Sequence, residues 1–112
     1  MALLIAGIEA SDRVESRNIG IGGKPSTLFA NYERLLDIAP DSLWYRLTYS
    51  KSAVMRVYAF QALLEKKDPT VSEVASRLEQ DSTNVYSLSG DLGMYTSVGD
   101  LVKSMFEGSG QM

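Results

Sequence analysis

The sequence predicts an all-α fold of short stacked helical hairpins, and three observations predict it. Apolar residues recur at spacings of three and four along most of the chain. No alternating apolar run of convincing length marks a strand. Pro, Gly and Ser cut the periodic segments into pieces too short to persist alone in water, so each must bury its stripe on a neighbour. About five or six helices follow. At 112 residues and 12.3 kDa the chain suits one domain, taken as residues 1–107 with a flexible tail over 108–112.

The first helix is read over Ala2 to about Arg17, from Leu4, Ile5, Ile8 and Val14. A cluster of Gly20, Gly22 and Gly23 ends it in a tight loop, and Pro25 opens the second helix, where its missing N–H does no harm. Leu28, Tyr32, Leu35, Leu36 and Ala39 form that helix's stripe. Pro40 stops it and starts a short element through Leu43, Trp44 and Leu47. The polar break Ser50–Ser52 is brief enough to set its flanking helices nearly antiparallel. Ala53 to Leu64 is apolar on almost every face, interrupted by Arg56 and Gln61, which marks a central helix covered by others. Asp68 and Pro69 break the chain, Thr70 and Glu73 form a capping box, and Val71, Val74, Ala75 and Leu78 supply the next stripe. Residues 81–93 read as a long connection rich in Ser, Asn and Gly. Ser97 and Asp100 repeat the box spacing ahead of Val98, Leu101, Val102 and Met105. That last stripe, with Phe106, needs cover from the preceding loop through Leu88, Met94 and Tyr95, or from a second copy in a homodimer.

Composition excludes several functions. The chain has no Cys and no His, which removes zinc and haem ligation through those side chains, thiol chemistry and every His-based triad; no cofactor is expected. A formal charge of -3 argues against a nucleic-acid partner, which wants a basic stripe. The longest apolar stretch, Ala2 to Ile8, is far below the ~20 residues of a membrane span. The charge is uneven: residues 1–67 hold nine basic and seven acidic side chains, residues 68–112 two and seven, so the C-terminal third is acidic.

Residues 48–64, from Thr48-Tyr49-Ser50-Lys51-Ser52 into Ala53-Val54-Met55-Arg56-Val57-Tyr58-Ala59-Phe60-Gln61-Ala62-Leu63-Leu64, resemble the second helix of a HEAT-type repeat, in which a polar turn leads into an apolar helix with an early arginine. The wording Arg-x-Tyr-Ala-Phe-x-Ala-Leu is similar to a group of small bacterial HEAT-like proteins. Gly20-Ile21-Gly22-Gly23-Lys24-Pro25-Ser26, Asp81, Val85, Gly90-Asp91 and Val98-Gly99-Asp100 agree with that group, so the resemblance covers about residues 18–102. Ala53 departs from it, because the usual repeat has proline there. The resemblance implies a HEAT/armadillo-like mini-solenoid and a non-enzymatic scaffold or adaptor that binds a protein. It also implies a bacterial chain. The apolar start lacks preceding basic residues and is followed by Glu9, Asp12 and Glu15, a poor export signal; with Met1 also readable as an added start on a trimmed chain, both cytoplasm and periplasm stay open.

Three features invite chemistry. Gly22-Gly23-Lys24-Pro25-Ser26 fails as a phosphate loop, because Asn18 stands where its first glycine belongs and Pro25 follows the lysine. Arg56 is read as a structural ion pair or carbonyl clamp, with Asp37, Asp41, Asp81 and Asp91 as candidate acceptors, since a buried guanidinium must be paired. Asp91 and Asp100, with Asp81 or Glu107, are the carboxylates on which a small hydrolase or a hard cation would draw. The alternating ligand spacing of a calcium loop is absent, and capping and turn formation account for Asp91 and Asp100. The expected docking surface comprises Trp44, Tyr45 and Tyr49 with the acidic residues near Asp81, Asp91 and Asp100. Besides the protein-binding module, two alternatives remain: an inhibitor or immunity-type protein that neutralises a toxin or enzyme, and a small carboxylate-dependent hydrolase.

Overall fold

A computed structural model describes residues 1–109. It is a mixed α/β structure. In chain order the elements are α1 (Ala2–Glu9), β1 (Arg13–Ile19), β2 (Lys24–Pro25), α2 (Thr27–Ile38), α3 (Asp41–Leu47), α4 (Ala53–Glu65), α5 (Val71–Leu78), β3 (Asn84–Gly90), β4 (Leu92–Ser97) and α6 (Val98–Gly108). The strands form one sheet in the order β2-β1-β3-β4, with β1 and β3 parallel and the outer pairs antiparallel. This sheet overturns the all-α mini-solenoid expected from the sequence, because helices α2 to α5 form the crossover of a parallel strand pair and do not stack as repeats.

Three segments differ from their sequence readings. The first helix stops at Glu9 and does not reach Arg17, because the Ser11 hydroxyl donates to the Arg13 carbonyl at 2.9 Å and accepts from the Arg13 N–H at 3.2 Å, diverting the backbone into a strand. The connection read over residues 81–93 is mostly hairpin. Ser89 pairs with Leu92, leaving a two-residue turn in which Gly90 takes φ +60°, the position a II′ turn reserves for glycine. The flexible tail expected over 108–112 begins inside α6, whose last residue is Gly108, and 110–112 lie outside the described residues.

The caps are also redistributed. Pro25 belongs to β2, and Ser26 caps α2 by accepting from Phe29 N–H at 2.9 Å. Thr70 makes no capping hydrogen bond; Asp68 accepts from both its N–H, at 2.9 Å, and its hydroxyl, at 2.6 Å. Those bonds, larger in effect than partial burial, hold the Asp68 carboxyl below its ordinary range. Ser52 and Ser97 cap α4 and α6 through Met55 and Asp100 N–H.

Helix α4 is the axis of the core. Val54, Met55, Val57, Tyr58, Ala59, Phe60, Ala62 and Leu63 are all buried, which is why the sequence shows no polar face there. The Tyr32 ring sits 4.9 Å from Tyr58 and 5.9 Å from Trp44, and Phe60 sits 6.3 Å from Phe106. Val14 and Val85 place one face of the sheet against this core. The last helix, α6, packs on α4 and α5 and also touches β4, with Val98 and Val102 fully buried and Leu101, Met105 and Phe106 half-buried; Leu88 lines one recess with Leu101 and Met105. Among the described residues no helix is long and apolar enough to cross a membrane.

Candidate functional site

The two edges of the sheet differ. On the β1 side the outer backbone of Glu15, Arg17, Asn18 and Ile19 finds partners. Asn18 and Ile19 pair with β2, Arg17 C=O accepts from Ser26 N–H at 2.9 Å, and Glu15 is closed by the Tyr58 hydroxyl, which accepts from its N–H and donates to its C=O, both at 2.9 Å. The Glu15 carboxylate is taken by Ser26 at 2.6 Å and Arg13 at 3.0 Å. Strand β2 is two residues long and carries Lys24 and Pro25, a charge and a missing donor, both of which discourage a further strand.

On the other side stands β4. It runs six residues, Leu-Gly-Met-Tyr-Thr-Ser, without a charge or a proline, and pairs with β3 over its whole length without a bulge. Its outer backbone groups meet no strand among the described residues. Leu92, Met94 and Tyr95 are 67%, 55% and 80% exposed. Tyr86 backs the strand: it lies over Gly93, where a Cβ would overlap its hydroxyl and ring, and meets Tyr95 edge-on at 4.9 Å. Asp12, Arg13, Tyr86 and Tyr95 border a depression of about 510 Å³ on this uncovered face. A second recess, about 320 Å³, opens where β1 and β3 lose register, between Ser16, Gln61 and Ser87 and the apolar Phe29, Leu101 and Met105. Its rim arginine, Arg17, is committed to Glu33 at 2.7 Å and to the Phe29 ring.

The residues singled out from the sequence lie elsewhere. Arg56 donates from Nε to Asp81 at 2.8 Å, from Nη1 to the Ser50 carbonyl at 2.8 Å and from Nη2 to Thr83 Oγ1 at 3.1 Å, tying the α3–α4 turn to the start of β3. Asp81 is thereby engaged inside the fold and not free for a partner. Burial would raise its carboxyl, but the Thr83 hydroxyl and N–H and the Arg56 guanidinium outweigh that and hold it below the ordinary range. Trp44 is 0% exposed, so it serves the core and cannot contribute to a docking surface; its Nε1 is buried without a partner. Tyr45 donates to Glu73 at 2.8 Å, and hydrogen bonds to Tyr49 and Glu73 push its hydroxyl up to about 12. Tyr49 is 60% exposed beneath the Arg77 guanidinium, 3.8 Å from its ring centre.

Asp91 sits in the β3–β4 turn and Asp100 in the first turn of α6, both exposed. The hairpin separates them by its full length, roughly 20 Å at 3.3 Å per residue, so Asp91 forms no carboxylate pair with Asp81 or Asp100. Among the described residues no three metal-ligating side chains gather. Leu92, Gly93, Met94 and Tyr95 are the residues sequence reasoning passed over as site, and a signal existed: Gly90-Asp91 between Val85-Tyr86 and Met94-Tyr95-Thr96 is the two-residue hairpin pattern. No protein-family model, curated protein or solved structure matches the chain.

Proposed function

We propose that the chain is a non-enzymatic protein-binding module that takes an extended segment of another polypeptide onto the free edge of β4. The observation that carries this reading is the contrast at the sheet margins: six uncharged residues of firm, unguarded strand stand on one side and a closed margin on the other. An edge of that kind offers a row of main-chain donors and acceptors at no cost in strand formation, and alternate side chains add selectivity. Leu92 and Met94 point to one face and Tyr95 to the other, so an added strand would meet apolar surface on both. An inhibitor or immunity-type role is one form of this reading, in which the seated segment belongs to the neutralised protein.

The test is selection from a random peptide-display library followed by mapping of amide chemical shifts. Selected peptides are expected to shift Leu92–Ser97 and to order as strands. Along a strand successive N–H groups point to opposite sides. Of Met94→Pro and Tyr95→Pro, therefore, one deletes a bond to β3 and destabilises the hairpin, and the other deletes an outward donor and abolishes binding with the fold retained. Peptides that map away from β4, or that bind as helices, would overturn the reading.

A further inference from the structure

The electrical surroundings of β4 say which segment fits it. From Leu78 to Val102 the chain carries Glu79, Asp81, Asp91 and Asp100 and not one lysine or arginine. Asp81 is neutralised by Arg56. Asp91 and Asp100, just beyond the two ends of β4, have no ion pair among the described residues, and both are exposed. Asp12 borders the depression beside Tyr95, where the one cation, Arg13, is already committed to Glu15. Lys103 lies a turn further along α6 and makes no ion pair with Asp100. The edge is thus a neutral, apolar strand with an exposed carboxylate outside any ion pair near each end.

We infer that the partner segment of β4 is an extended stretch with an uncharged, apolar centre and lysine or arginine at both ends; this rests on the edge reading above. Charge chooses the partner's composition and not its direction, since both ends of β4 carry the same sign and a parallel or antiparallel strand is served equally. The same arrangement disfavours a second copy of this chain as occupant. Two β4 strands paired antiparallel about a two-fold axis set Asp91 of one beside Asp100 of the other, like charge against like at both ends.

The experiment uses the whole chain and four synthetic peptides with a shared core of alternating valine and threonine. One carries lysines at both ends and one carries glutamates. The other two are the lysine peptide with alternate backbone amides N-methylated, one in each register, so that one of them loses its ladder hydrogen bonds. Affinity is followed by amide shifts of Leu92–Ser97 and by calorimetry, and the free chain by sedimentation equilibrium. The lysine peptide is expected to bind about three- to tenfold tighter than the glutamate peptide at low ionic strength. Salt should erase the difference, and so should the double variant Asp91→Asn with Asp100→Asn, both exposed and neither holding a tertiary contact. Equal or tighter binding of the glutamate peptide overturns the charge inference and leaves the edge reading standing. Equal binding of the N-methylated peptides, or no shift in β4 with any peptide, overturns the edge reading itself. A concentration-dependent dimer whose formation protects the β4 amides identifies the occupant as a second copy and overturns the basic partner.

Discussion

The two margins of this sheet solve one problem in opposite ways. At the β1 margin a tyrosine from the central helix, a serine N–H and a two-residue strand with a proline satisfy or block the backbone between them. At the β4 margin no described residue does, and Tyr86 lies against Gly93 on the strand's uncovered face. Natural sheets guard their edges against unwanted pairing. A chain that guards one edge with a buried side chain and leaves the other bare separates the margin that holds the fold together from the margin that is free to bind. The closed margin is wired to α4; the open one is held by its ladder to β3 and at its base, where Val98 N–H and Gly99 N–H bond to Thr83 and Asp81 carbonyls at 3.0 and 2.8 Å.

Changes at the closed margin and at the hairpin base should therefore cost stability, and exposed side-chain changes on the open strand that keep its ladder to β3 should not. The largest loss is expected for Tyr58→Phe, which strips both the donor and the acceptor from Glu15 and leaves two buried backbone groups unpaired, roughly 2–4 kcal/mol by urea denaturation. Gly99→Ala should follow at about 1–3 kcal/mol, because its Cβ would stand 2.5 Å from the Glu79 carbonyl oxygen, a backbone atom that cannot swing away. Next comes acid. The Asp81 carboxyl is held below its ordinary value, so the folded state gains stability at pH above the unfolded aspartate pKa of about 3.9, and that gain is lost as pH falls through the lower folded value. In Arg56→Ala this part of the acid limb should flatten. The smallest effect on stability, within about 0.5 kcal/mol, is expected for Met94→Lys, which puts a guarding charge on the open edge; peptide binding should nonetheless disappear. A substantial loss of stability in Met94→Lys, or none in Tyr58→Phe, would reverse the assignment of the two margins.

The helices were legible because their packing is written in side chains. The stripe of α5 and the all-round apolarity of α4 follow directly from burial, and Ser97 announces its cap. The strands were not, because their coherence lies in the backbone. Strand β1 reads Arg-Val-Glu-Ser-Arg-Asn-Ile, and from Glu15 to Asn18 it is polar: Ser26 takes the Glu15 carboxylate, Tyr58 the Glu15 backbone and the Ser16 hydroxyl the Gly90 N–H, none of which a periodicity detects. Strand β3 shows one core residue, Val85, before Ser87 and Ser89 line an open recess. Arg56 could be recognised from chemistry alone, since a guanidinium inside an apolar helix needs partners. Trp44 could not be placed, as a tryptophan suits a hot spot and a core equally.

The parallel pairing of β1 with β3 sets a schedule for synthesis. During translation β1 leaves the ribosome early, yet the strand it must join follows the whole run of α2 to α5. Four helices rich in local contacts can assemble around α4 while β1, paired locally only with β2 and Ser26, waits for β3. The distant pairing then closes late and, in chains of this topology, slowly. Until the hairpin arrives, the Tyr58 hydroxyl is the foothold that the central helix offers β1: the bond that seals a margin of the sheet also marks where the waiting strand is to lie.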